Sequence, residues 1–313
     1  MLKLAIIIIN YKTPKLVIDC LQSLTREINQ NEHQVIIVDN NSGDDSVPKI
    51  QAAIDQYGWQ SWVKLIASPV NGGFSAGNNV GIKAIEAEAY LLLNSDTIVR
   101  QGSINTLLEG MKNNPQVGIL SPRLEWLDGT PQISCFRYHS PWSELIDGAS
   151  TSVITNLLKN FDVPLPVCEE PIHPQWTSFA CVLIRRKVIE QIGLMDEGYF
   201  MYFDDVDYCR QARKAGWEIL HLPEARVVHL RGGSSSTKKD VNQRKRPPSY
   251  LYASRSRYYA KFYGILGFWF ANYCWLMGRT IAKLREIFGH KLPHTCEYQE
   301  QDIWFNWRKP FKP

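Results

Sequence analysis

The seven cysteines include no C-x-x-C pair, which argues against a zinc ribbon or a thioredoxin-like redox motif. Their odd number and irregular spacing point to reduced thiols and a cytoplasmic setting. Long apolar runs are also missing. The most aromatic uncharged stretch, Phe262–Gly278, has 17 residues and contains Asn272 and three glycines, at the lower edge of membrane-spanning length. The apolar start Leu4–Ile9 is too short for a secretion signal and has no small-residue cleavage site after it. There is no internal repeat and no charge of one sign throughout. The net charge of +4 hides an asymmetry: Arg231 to Lys261 holds nine Lys/Arg and one acid, Asp240, so that stretch carries +8 and the remainder −4. Basicity confined to one stretch excludes a nucleic-acid coat.

What is present is an ordinary globular composition over 313 residues, long enough to bury a sizeable core. Short β-rich runs at Leu4–Ile9, Gln34–Val38, Val63–Ala67, Tyr90–Leu93 and Val117–Leu120 alternate with helical patterns at Pro14–Ile28, Ser46–Tyr57, Ser75–Glu88 and Ser103–Lys112. Such alternation predicts βαβ units and an α/β fold with a mostly parallel, doubly wound sheet. Arg123–Cys135 reads as a hairpin turning at Asp128-Gly129, Trp176–Arg185 as a strand and Lys187–Ile192 as a short helix. Asp204–Ala215 reads as a helix, and Glu218–Leu222 and Arg226–Leu230 as strands. Between Tyr138 and Pro174 the pattern weakens, and only a helix near Thr151–Leu158 is expected. The organisation expected is a catalytic domain over 1–230, a flexible basic loop over 231–249 and a C-terminal helical, amphipathic segment over 250–313.

Ligands of doubly wound sheets sit outside the carboxyl ends of the strands, so polar residues there come first. Asp39-Asn40-Asn41-Ser42 follows the second strand and Asn94-Ser95-Asp96 the fourth. Each could be a plain turn, or could hold a base, a ribose or a metal. Asn71-Gly72-Gly73-Phe74-Ser75-Ala76-Gly77-Asn78 is a glycine-rich approach to a helix, suited to close contact with a phosphate or sugar. It is neither a dinucleotide fingerprint nor a P-loop. It contains a G-x-S-x-G string, and with Asp205 and His229 downstream this permits a serine-hydrolase reading. Asp204, Asp205 and Asp207 open a helix. Acids there complement the helix dipole, yet three are more than a cap needs. His229 ends a strand just before the basic loop, and a neutral imidazole beside a carboxylate suits a Mn²⁺-type ion.

Together these stretches resemble the family-2 glycosyltransferases of GT-A fold, most closely the bacterial rhamnosyltransferase-like branch. The resemblance rests on Ile7-Ile8-Ile9-Asn10-Tyr11, Val38-Asp39-Asn40-Asn41-Ser42, the segment from Asn71 to Asn79, Leu92-Leu93-Asn94-Ser95-Asp96, Phe179 to Arg186, Met195-Asp196-Glu197, Phe203 to Asp207 and Val227-Val228-His229, in order. It implies a nucleotide-binding sheet with a smaller acceptor-side part. It also implies an inverting, metal-dependent transfer of a sugar, with rhamnose one candidate, from a nucleotide-diphospho-sugar to a glycan or lipid-linked acceptor in cell-surface polysaccharide synthesis. Asp39 would bind the nucleobase, with Asn10, Tyr11 and Asn41 lining that pocket. Asn71, Gly73, Asn78 and Asn94 would contact the nucleotide or donor sugar. Asp96 and His229 would hold Mg²⁺ or Mn²⁺, and Asp205 would be the catalytic base. Two departures stand out. Asp204-Asp205 replaces the usual Glu-Asp, which leaves the choice of base between them open. Asn94-Ser95-Asp96 offers one charged ligand fewer than the family often has.

Other readings remain: a hydrolase built on Ser75, Asp205 and His229, or a module that binds nucleotide-sugar or glycan without catalysis. The basic loop could close over the nucleotide or be a solvated linker. The segment 250–288 could lie on a membrane surface, pack back on the protein or form a dimer contact. A peripheral place at the inner face of the plasma membrane is thus one option.

Overall fold

The structure, a computed structural model, describes residues 1–232, 241–289 and 293–312. It divides into two compact units. One comprises 1–135, 166–197 and 204–234, and the other 136–165, 198–203 and 235–313. Part of the expected basic loop, 233–240, lies outside the described residues.

The first unit is built on a sheet that, among the described residues, has eight strands. They are β1 (Leu2–Asn10), β2 (His33–Asp39), β3 (Val63–Ala67), β4 (Ala87–Asn94), β5 (Thr97–Val99), β6 (Val117–Glu125), β9 (Cys181–Arg185) and β10 (Glu218–His229). The spatial order is β3-β2-β1-β4-β9-β6-β10-β5. β1 pairs in parallel with both β2 and β4, β9 is antiparallel to its neighbours, and β5 closes one edge antiparallel to β10. β7 (Cys135–Phe136) and β8 (Trp176–Thr177) form a second, small pairing. Leu4, Ala5, Ile6, Ile7 and Ile8 of β1 are all fully buried, as a near-continuous apolar run demands of a strand covered on both faces.

The helices of this unit are α1 (Pro14–Leu24), α2 (Ser46–Gln56), α3 (Gly73–Lys83), α4 (Ser103–Asn113), α7 (Arg186–Ile192) and α8 (Asp204–Lys214). α1 opens with Pro at its first turn, where a missing N–H costs nothing. α3 begins at Gly73 rather than Ser75, and it ends at Lys83 because Ala87–Asn94 is strand. Its glycines set how close it comes to the sheet. A Cβ on Gly77 would lie 2.8 Å from Ile9 Cδ1, and one on Gly81 2.4 Å from Ile7 Cγ2. Glycines four apart share a helix face, so these two are the contact surface of α3 on β1.

Three other boundaries differ from the sequence pattern. Trp176–Arg185 is two strands, separated at Ser178–Ala180. Glu218–Leu222 and Arg226–Leu230 are one strand, β10, with an irregularity between Leu222 and Arg226. Its partner β6 likewise runs unbroken through Pro122 to Glu125. Pro122 and Pro223 cannot donate ladder hydrogen bonds, so the sequence looks broken where the strands are only bulged. The expected turn at Asp128-Gly129 is present: Trp126 N–H donates to Thr130 O at 2.8 Å, and Gly129 takes φ +86°.

The second unit contains α5 (Pro141–Ala149), α6 (Ser152–Leu157), α9 (Ser249–Gly289) and α10 (Gln299–Asp302). α5, where no helix was expected, starts at a reciprocal cap between Ser140 and Ser143. α9 is interrupted at Gly264, which takes φ +71° and ψ 177°. α5 and α9 cross at two glycines, since a Cβ on Gly148 would meet Trp275 O at 2.2 Å and one on Gly278 would meet Leu145 O at 2.4 Å. Beside the crossing, buried Arg255 donates from Nη2 to Glu144 Oε2 at 2.8 Å and from Nη1 to Asn272 Oδ1 at 2.6 Å. Tyr259 O–H donates to Glu144 Oε1 at 2.7 Å. A buried ion pair needs such added hydrogen bonds to offset desolvation.

Candidate active site

The carboxyl ends of β1, β2 and β4 lie side by side. Asn10 is opposite Asp39, and Ile9 is opposite Asn94. The chain crosses from β3 through α3 to β4 on the far side of β1, which makes this edge the switch point of the sheet. Asp39 is buried and its carboxylate is held from several directions. Asn10 Nδ2 donates to Oδ1 at 2.6 Å, Ser42 Oγ donates to Oδ1 at 2.6 Å, and Ser42 N–H donates to Oδ2 at 3.0 Å. Ser42 Oγ also accepts from Lys12 N–H at 2.9 Å. The loops after β1 and β2 are therefore tied to one carboxylate. Lys12 and Asn41 adopt left-handed φ of 59° and 54° within them, a conformation uncommon outside glycine.

Tyr11 and Asn41 are exposed on these loops. Asn40, a residue without an assigned role above, donates from Nδ2 to Asn71 Oδ1 and to Gly73 O, both at 2.9 Å. It thereby fixes Asn71 and Gly73 beside Asp39. Asn78 faces a different environment. It is buried and donates to Phe74 O inside its own helix at 3.0 Å. Its neighbour Asn79 donates to Met195 O and Glu197 Oε1, both at 2.9 Å, and accepts from Met195 N–H at 3.1 Å. Asn79 is thus a clamp on the Met195–Glu197 turn.

After β4, Asn94 N–H donates to Ala180 O at 2.9 Å, and the chain turns through Ser95 and Asp96 into β5. β5 pairs Thr97 with His229, and Leu230 N–H donates to Asp96 O at 2.9 Å. This short ladder brings Asp96 against His229, with Oδ1 and Nε2 3.5 Å apart and both side chains buried. That separation is long for a hydrogen bond. It is near the spacing of two ligands on one cation: at about 2.1 Å from the ion they stand about 3.0 Å apart in octahedral geometry and about 3.4 Å in tetrahedral geometry. His229 Nδ1 is buried with no hydrogen-bond partner among the described residues. Among those residues no group of three His, Cys, Asp or Glu gathers to hold a metal. A pair of protein ligands nonetheless suits Mg²⁺ or Mn²⁺ that takes its remaining oxygens from phosphates and water.

His229 is also braced from its backbone. Gln132, in the returning arm after the Asp128-Gly129 turn, donates from Nε2 to His229 O at 2.8 Å and to Glu125 O at 3.1 Å. Arg231 then bonds Gln132 Oε1 and donates to Ile133 O. The sequence held no signal for Gln132. Farther along the basic stretch Arg246 donates to both oxygens of Asp302, at 2.9 and 2.8 Å. That arginine is occupied within the second unit.

Asp205 lies in the first turn of α8 and is half-buried. α8 is anchored to the strand ends through Tyr208, whose ring meets Phe179 edge-on with centroids 6.2 Å apart. Phe179 precedes the Ala180 that pairs with Asn94. Two left-handed residues, Tyr202 (φ 69°) and Phe203 (φ 62°), lead into the helix. Burial pushes the carboxyl of Asp204 well above the usual range, with the charge on Asp205 as the next cause. Burial thus favours the protonated form of Asp204, whereas Asp205 is only half-buried. Asp207 accepts from Gln211 Nε2 at 2.5 Å.

A pH dependence follows from Asp204. A carboxyl whose folded pKa is raised binds more protons folded than unfolded, so stability falls as pH rises above its ordinary value of about 3.8. Asp204→Asn removes that loss. The melting temperature of the variant should match wild type near pH 4 and pull progressively ahead as pH rises; parallel curves across the range would contradict the assignment.

Ser75 does not form a nucleophile. It is fully buried on α3, its Oγ has no hydrogen-bond partner among the described residues, and His229 Nε2 is turned to Asp96. The hydrolase reading fails on that geometry, because a nucleophilic serine needs a base within reach and access to substrate. All seven cysteines are free thiols, and burial pushes Cys20 and Cys135 up to about 12, away from thiolate character.

A profile described as glycosyltransferase-like family 2 matches residues 3–247. The chain belongs to that family. Among its relatives, the N-acetylglucosaminyl-diphospho-decaprenol L-rhamnosyltransferase of Mycobacterium tuberculosis is 29% identical over 265 residues, covering 79% of this chain and 80% of the relative. The low-salt glycan biosynthesis hexosyltransferase Agl10 of Haloferax volcanii is 27% identical over 230 residues, covering 72% and 65%. In structure, the mannosyltransferase PcManGT from Pyrobaculum calidifontis, solved with GDP-Man and Mn²⁺, superposes with a TM-score of 0.59 at 12% identity over 93% of this chain and 77% of that one. At that identity the likeness speaks for the fold, which is of GT-A type. This family-2 glycosyltransferase thus has the α/β architecture expected, with its polar strand ends on the edge where such sheets bind ligands. No helix among the described residues is long and apolar enough to cross a membrane.

Proposed function

We propose that this glycosyltransferase moves a sugar, with a deoxyhexose such as rhamnose the first candidate, from a nucleotide-diphospho-sugar to a glycan or lipid-linked acceptor in surface-polysaccharide synthesis. It does so with a divalent cation and with inversion. The observation that carries the reading is the juxtaposition of Asp96 and His229 on the sheet edge that also bears Asp39. The names of the relatives in Mycobacterium tuberculosis and Haloferax volcanii support the sugar and the acceptor class.

In this reading Asp39, positioned by Asn10 and Ser42, receives the nucleobase. Tyr11 and Asn41 flank it, and Asn71, Gly73 and Asn94 line the way to the sugar. The buried amide of Asn78 shapes α3 beneath them. Asp96 and His229 hold the cation, which when bound neutralises charge growing on the diphosphate. Asp205 accepts the proton of the acceptor hydroxyl as its oxygen bonds to the anomeric carbon. The bond from that carbon to the diphosphate breaks on the opposite face, and the nucleoside diphosphate leaves. One base without a nucleophilic carboxylate gives a single displacement.

The test is a binding and donor-hydrolysis screen of the purified chain against nucleotide-sugars with Mn²⁺ or Mg²⁺. One donor should bind and turn over slowly, chelator should abolish turnover, and Ser75→Ala should leave it within a few-fold. Turnover that survives chelator but dies with Ser75→Ala would overturn the assignment.

A further inference from the structure

The second unit leaves one side of its long helix uncovered. After the break at Gly264, Leu266 (77% exposed), Tyr273, Met277, Leu284 and Phe288 (83% exposed) all face solvent. At about 100° per residue these positions fall within about 60° of one another. They form an apolar stripe opposite the buried face of Phe268, Trp275 and Ala282. The stripe widens on both sides through exposed aromatics. Trp142 meets Phe270 edge-on with centroids 5.7 Å apart, and Trp269 meets Trp307 at 6.4 Å. A patch of this extent is unusual on a surface that faces only water.

We infer that this face of α9, flanked by Trp142 and Trp307, is a docking surface for an anionic lipid bilayer. Charge decides between a bilayer and a second copy of the chain. The described residues of this unit carry fourteen Lys/Arg against seven Asp/Glu, so two such units repel each other while an anionic leaflet attracts them. The basic groups also stand where an interfacial helix needs them. Lys283 and Arg285 lie on opposite borders of the stripe, and the Arg308 guanidinium sits 4.6 Å over the ring of Trp307. Trp and Tyr with apolar bodies and polar tips belong at headgroup depth, and a helix too short in apolar length to span lies in the interface. The inference is independent of the reading of the active site.

Co-sedimentation of the full chain with vesicles of phosphatidylglycerol or of phosphatidylcholine tests it. Wild type should partition at least tenfold more onto phosphatidylglycerol, less so in high salt, with a blue shift of tryptophan emission. The variant L266E/F288E changes two of the most exposed positions, so folding is retained. It should lose at least tenfold in partitioning while its circular dichroism and its donor hydrolysis in lipid-free solution stay at wild-type level. Wild type that stays in the supernatant overturns the proposal, as does a variant that binds like wild type. A dimer in sedimentation velocity that the same variant dissociates, without lipid binding, assigns the face to a second copy instead.

Discussion

Asp205→Asn is expected to slow sugar transfer at least a few hundred-fold while leaving the affinity for nucleoside diphosphate within a few-fold. The substitution keeps the shape of the side chain and its bond to the Val206 N–H, which Asp205 Oδ1 accepts at 2.9 Å. What is lost is the negative charge and with it the capacity to take a proton. A positioned base contributes about 10²–10⁴ in rate, so the lower part of that range is a conservative expectation. The neighbouring carboxyl makes the experiment sharp. Asp204 is buried, which favours its protonated form, so Asp204→Asn should retain activity within about tenfold. Single-turnover rates of the two variants, with donor affinity measured separately, decide the matter. Activity of Asp205→Asn near wild type would point to a binding module or to another base. Equal losses in both variants would return the choice between the two carboxylates to an open question.

Asp96→Asn is expected to lower kcat/KM about 10²–10³-fold, the usual scale for removing one preorganised group from a site of developing charge. It should also weaken nucleoside-diphosphate binding in Mn²⁺ far more than in its absence. Asp96 is buried and faces His229, so its charge acts locally and is poorly screened. His229→Ala should weaken the same metal-linked binding. Because the two would share one ion, their combined effect should fall well short of the product of the single effects. Titration calorimetry with nucleotide and metal reads this without turnover. An unchanged metal requirement in Asp96→Asn would remove the proposed cation site.

The sheet was legible in the sequence wherever its signals are local. The run Leu4–Ile8 is apolar because β1 is covered on both faces, and polar residues stand where strands stop. Misreadings arose where a local signal had a remote cause. Gly77 looks like part of a phosphate-binding loop, yet it is small because Ile9 of β1 presses against it, as Ile7 presses against Gly81. The second glycine of the G-x-S-x-G string around Ser75 is set by that contact. α5 went unseen because Glu144 lies on its buried face, paired with Arg255 111 positions away and with Tyr259. A carboxylate at a core position erases the apolar period from which a helix is read.

Among the candidate residues, Asp39 and Asn10 could be placed together from their strand ends alone. Asn40, Ser42 and Gln132 could not be found that way, since each acts by holding another residue and side-chain amides and hydroxyls are common in any loop.

What the amino-acid order determined unaided is the alternation of strand and helix, the polar ends of β1, β2 and β4, and the segregation of basic residues into one stretch. Each depends on residues a few positions apart, whose spacing matches a backbone period or ends it. The tertiary structure alone decided that Asp96 meets His229, that Ser75 is sealed from solvent, and that burial raises the carboxyl of Asp204. These depend on burial and on contacts across more than a hundred residues. Such contacts exist only once the chain has closed its loops, and no local pattern records them.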